Sequence, residues 1–170
     1  MASQWHSQVS QKLFLARVLL GQPTPNATGD AKQAGAGADQ ALKQEATRQG
    51  GIELLLRGRR LLLVMIARFY QQRSEEPTSL DELAALIGED CHEVSHLRDL
   101  ANRANGWWNH LDQLEMAQSR PPTTRKTVSA ENIIAVSADT GPNRSAEALL
   151  KTLDAMKMFA DALEEQHSEW

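Results

Sequence analysis

An all-α fold is predicted by three features of this sequence. Apolar residues recur at spacings of three and four through most of the chain, which is the helical period. The stretch Ile52 to Tyr70 is apolar around most of its circumference, so it must be surrounded by neighbours. β-prone residues gather in one short run, Ile133-Ile134-Ala135-Val136, and a lone strand makes no sheet. The expected architecture is an irregular bundle of five or six helices around one long central helix. Its 170 residues suit a single helical domain over 1–170 with a sizeable core.

The elements follow in order. Residues from about 3 to 20 form an amphipathic helix with Trp5, Val9, Leu13, Ala16 and Leu20 on one face. Gly21 to Gln40, rich in Gly, Ala, Pro and Thr, has little to pack and reads as a flexible connection at about 21–40. The central helix spans about 39 to 73. Ile52, Leu55, Leu56, Leu62, Leu63, Ile66, Phe69 and Tyr70 make its stripe, and Leu54, Leu61 and Met65 widen it. Gly50-Gly51 is a weak point where it could kink or divide. Arg59 falls inside the stripe and must snorkel past the core or meet a carboxylate.

Beyond Pro77, Ser79-Leu80-Asp81-Glu82 fits a capping box, and a short helix ends at Gly88. The next runs from about Asp90 to Ala104, with Val94, Leu97, Leu100 and Ala101 inward. Asn105 can cap a helix carrying Trp107, Trp108, Leu111 and Leu114, which stops near Pro121-Pro122. The pattern changes over about 121–143, where the run at about 128–137 reads as an extended segment lying across the helices. The last helix opens near Ser145, with Leu149, Leu153, Met156, Ala160 and Leu163 on one face.

Composition narrows the function classes. A net charge of −4 argues against a general nucleic-acid binder, which needs a basic face to displace counterions. One cysteine permits no intramolecular disulfide and suits a reducing cytoplasm. The apolar run Leu61 to Ala67 is far shorter than the roughly 20 residues of a membrane span. Lys12 and Arg17 break up the patch near the amino terminus, so a cytoplasmic protein without a membrane partner is expected.

Several pieces resemble a small family of uncharacterised gammaproteobacterial proteins known only as a domain of unknown function. They are Gln11-Lys12-Leu13-Phe14, Ala67-Arg68-Phe69-Tyr70, Trp108 ahead of a helix ending in Pro121-Pro122, Ile134-Ala135-Val136-Ser137 and the closing Ser168-Glu169-Trp170. The long Gly/Ala-rich connection after Gly21 departs from that pattern. The resemblance implies an all-helical cytoplasmic protein and supplies no catalytic residues.

Two motifs carry sharper chemistry. His92-Glu93-Val94-Ser95-His96 is H-E-x-x-H, in which two imidazoles one turn apart hold Zn²⁺ and the glutamate polarises a bound water. Glu115 is the third ligand such a site would use, with Cys91 and His110 as other neighbours. The bland alternative, that both histidines face solvent while Val94 and Leu97 face inward, weighs more, so neither a catalytic residue nor a metal is expected. Leu80 to Leu100 also fits a helix-turn-helix corner around Gly88. However, eight acids between Ser74 and Asp99 against Arg98 alone would repel DNA. Arg103 and His110 loosely echo the Arg…His pair of helical ribonucleases, although Ala104 replaces the polar residue of that pattern.

The expected function is therefore non-enzymatic: a small interaction or adaptor protein that binds an unknown protein partner or itself. Its expected contact residues are Trp107 and Trp108, one buried and one at a rim, with Arg57 and Arg60 of the basic patch. That patch is expected to pair with the acidic 74–99 region or with acids of the last helix. The alternatives are a zinc-dependent hydrolase and a helix-turn-helix-like nucleic-acid-binding regulator.

Overall fold

Helices form where the apolar period runs. In a computed structural model describing residues 4–22, 34–120 and 141–168, they are α1 (Gln4–Leu20), α2 (Ala34–Phe69), α3 (Leu80–Ile87), α4 (His92–Asn102), α5 (Trp107–Ser119) and α6 (Ala146–Ser168). No strand occurs among the described residues. The expected extended segment at about 128–137 lies outside them.

The predicted hub is observed. α2 packs against α1, α3, α5 and α6, and α1 also packs on α6. Ile52, Leu55, Leu62, Met65 and Ile66 are wholly removed from solvent. They join Val9 and Leu13 of α1, Leu83 of α3, Leu97 of α4, Leu111 and Leu114 of α5, and Leu149 and Met156 of α6 in one apolar cluster. Each such side chain contributes about 2 kcal/mol by leaving water.

Two sequence expectations for α2 need correction. It begins at Ala34, so the end of the expected connection is helical; this stretch is rich in alanine, the strongest helix former. It also runs unbroken through Gly50-Gly51. The glycines mark the crossing of α1, where a Cβ on Gly51 would stand 2.6 Å from Leu20 Cδ2 and one on Gly50 3.2 Å from Leu19 Cδ1. Gly51→Ala is expected to lower stability by about 1–2 kcal/mol through overpacking, whereas Gly37→Ala gains up to about 1 kcal/mol of helix propensity. At Gly37 an added Cβ meets nothing within 4 Å. Thermal unfolding of the two variants checks this, and equal responses would contradict the packing role.

The helix ends place the side chains that matter below. α2 closes with Gln71 at φ 64°, where Gln72 N–H donates to Ala67 O (3.0 Å) and Gln71 N–H to Arg68 O (3.1 Å). This left-handed cap turns the chain just after Tyr70. At α3, Ser79 Oγ accepts from Glu82 N–H (3.2 Å). The return bond departs from the expected box: Glu82 accepts from Thr78 N–H (2.7 Å). Gly88, at φ 102°, makes the α3–α4 corner with the positive φ the sequence predicts. Gly106, not Asn105, is the N-cap of α5.

Candidate functional site

α4 starts at His92, and its inward face runs Glu93, Val94, Leu97. Its one charged member is the centre of a polar knot. Glu93 is only 2% exposed and gathers three donors from three parts of the chain. Tyr70 Oη, at the end of α2, donates to Glu93 Oε2 at 2.6 Å. Cys91 Sγ donates to the same oxygen at 3.0 Å. His167 Nε2, near the end of α6, donates to Oε1 at 3.3 Å. The His167 ring stacks on Phe69 with centroids 4.3 Å apart, so its direction is fixed from both sides.

The electrostatics follow from this geometry. Burial alone would raise the Glu93 carboxyl, but the bonds from Cys91, Tyr70, its own backbone and His167 outweigh it. The pKa falls from 4.5 to about 2. Tyr70 keeps 36% of its surface in water while its hydroxyl turns inward. Burial first, then Cys91 and Glu93, push the hydroxyl above its ordinary range. A carboxylate this acidic is a weak base, and both of its oxygens already accept from donors within the fold. The Cys91 thiol is spent on that carboxylate instead of being aimed at an imidazole. The arrangement ties α2, α4 and α6 together and is not built to move protons.

The histidines of H-E-x-x-H lie outside this knot. His92 and His96 are exposed, with ring centroids 6.1 Å apart, and His96 sits edge-on to Phe159. Glu93 points away from them into the core. Glu115 is occupied on α5, where it accepts from Arg59 and, at 3.2 Å, from Arg60. His110 is also engaged: Nδ1 meets Thr152 Oγ1 at 2.6 Å and Nε2 meets Asn143 O at 2.8 Å. Since a carbonyl can only accept, Nε2 carries the proton. Among the described residues, no three His, Cys, Asp or Glu side chains are grouped to hold a metal ion.

A second polar knot surrounds Arg59, which the stripe predicts must meet a carboxylate. It is 6% exposed, donates to Asp112 (2.5 Å) and Glu115, and lies 5.1 Å from the Trp108 ring centroid. Burial raises the Asp112 carboxyl despite the opposing Arg59 charge. Arg59 and Arg60 of the basic patch thus pair with acids of α5, whereas the sequence points to the 74–99 region or the last helix. Arg68 bonds the backbone oxygens of Gln72 and Glu75. Arg57 is exposed, and Arg60 is on Glu115. Arg98, the base of the acidic corner, pairs with Asp81 and Glu89.

The tryptophan expectation also changes. Trp107 and Trp108 are both buried, at 7% and 3% exposure, and they pack edge to face with centroids 5.5 Å apart. Neither is a rim anchor. The solvent-facing apolar side chains lie elsewhere: Leu42, Met116 and Met158 stand singly on α2, α5 and α6, while Phe14 at 64%, Leu15 at 41% and Val18 at 48% gather on α1. The α1 period could have indicated them, since all three fall off the Val9–Leu13–Ala16–Leu20 face. No helix among the described residues is long and apolar enough to cross a membrane.

A helical bundle with two polar knots, each spent on the fold, is the class these observations define. The chain belongs to the family of unknown function DUF6586, whose model matches residues 1–170. Searches of curated proteins and of solved structures find no match.

Proposed function

We propose that this is a non-enzymatic interaction protein that pairs with a second copy of itself through the outward face of α1. One observation carries the reading. Gln4, Ser7, Gln8, Gln11, Phe14, Leu15 and Val18 are exposed on α1 and uncharged; the charged exposed residue of the helix, Arg17, lies beside them and is paired with Asp154 of α6. An apolar centre with a neutral polar margin is what a protein-binding surface needs. With Arg17 paired to Asp154 and the other exposed residues neutral, two-fold pairing of this face opposes no unpaired like charges, which favours a copy of the same surface. The same proposal includes a bacterial origin, as the resemblance implies, and a cytoplasmic setting, which suits the single thiol of Cys91 held on Glu93.

Sedimentation velocity of the full chain over a hundredfold concentration range tests it. The expected result is a reversible monomer–dimer shift. Phe14→Ser with Val18→Ser should abolish that shift while leaving the melting temperature within a few degrees, because both side chains are already in water. A wild-type chain that stays monomeric throughout overturns the reading, as does a dimer indifferent to both substitutions.

A further inference from the structure

A cavity of about 550 Å³ opens where the α4–α5 corner meets α6, within the size range of small-molecule sites. Its floor is apolar, with Leu100, Trp107 and Ala155, while Arg103 from the corner and Lys151 from α6 supply positive charge. Among the described residues, none of its lining side chains is a carboxylate, although the chain carries 22 acids. Several cations elsewhere are matched to acids: Arg17 to Asp154, Arg59 to Asp112 and Glu115, Arg98 to Asp81 and Glu89, Lys157 to Asp161. The side chains of Arg103 and Lys151 make no hydrogen bond or ion pair among the described residues. His110, held by Thr152 and Asn143, fixes the wall between them. The start of α5 adds to the same field, because Gly106 offers its free amides no side-chain cap.

We propose that this cavity binds a small phosphate monoester with a compact apolar body. Two cations with no carboxylate partner among the described residues match a dianion better than a single carboxylate, and the guanidinium fork suits phosphate oxygens. The apolar floor takes the organic part. The site is independent of the α1 surface and stands or falls without it.

The test titrates the full chain with phenyl phosphate, inorganic phosphate and phenylacetate, followed by tryptophan fluorescence and backbone-amide NMR shifts. Phenyl phosphate should saturate, with shifts centred on residues 103–110 and 148–155. Inorganic phosphate, lacking the apolar body, and phenylacetate, with one charge, should each bind roughly tenfold or more weakly. Arg103→Ala and Lys151→Ala should each weaken phenyl phosphate roughly tenfold without shifting the melting temperature, since both side chains are exposed. Lys43→Ala, an exposed cation on α2, should change nothing. Failure to saturate overturns the proposal. So does phenylacetate binding as tightly as phenyl phosphate, or an equal response to Lys43→Ala, which marks unspecific charge attraction.

Discussion

Gly106→Ala is expected to cost about 3 kcal/mol or more, the upper end of overpacking penalties. The backbone dihedrals there, φ −71° and ψ 137°, suit any residue, so the cause is space alone. A Cβ on Gly106 would overlap the Leu100 carbonyl oxygen, and would lie 2.9 Å from its carbon and 3.1 Å from Arg103 O. All three are backbone atoms, and no rotamer change can clear them. Relief requires opening the α4–α5 corner, which also seats the buried Trp107 and Trp108. Urea unfolding followed by tryptophan fluorescence should show a midpoint well below that of Gly51→Ala, where only a leucine side chain must give way. A near-neutral Gly106→Ala would mean the corner is not as close as described.

Glu93→Gln is expected to cost about 2–3 kcal/mol at neutral pH. The amide cannot present acceptors to Tyr70, Cys91 and His167 together, so a donor meets a donor inside the bundle. The pH dependence identifies the ionised form as the useful one. Glu93 binds its proton less readily when folded, so its charge stabilises the fold fully above about 4.5. That benefit fades as pH falls towards about 2. The stability gap between wild type and Glu93→Gln should therefore be widest near neutrality and close across that acid range. Urea titrations at several pH values read it, and a gap independent of pH would contradict an ionised Glu93.

How far the sequence spoke depended on whether a signal was local. The hub was legible because Ile52 to Tyr70 repeats its apolar period over five turns, and Gly88 because a tight helical corner needs a positive φ. Gly50-Gly51 was misread because propensity describes one helix, while the reason for those glycines is Leu19 and Leu20 on another. Arg59 was legible as a buried cation, but not its partners, because Asp112 and Glu115 reach it only when α5 docks on α2. The same limit hid the site. Glu93 lies four residues before buried Leu97, on the inward stripe, and that position signals a buried acid as surely as Arg59 signals a buried base. The flanking histidines drew attention to zinc instead. Tyr70 and His167, 23 and 74 positions away, could not be assigned to it without the fold.

The carboxyl carbon of Glu93, followed by NMR through an acid titration of the intact protein, tests most directly whether this side chain is a tie between helices. The account predicts that it remains ionised at about pH 3 and titrates near 2. A midpoint at or above 4.5 would contradict it, leaving a carboxyl whose three donors do not hold its charge.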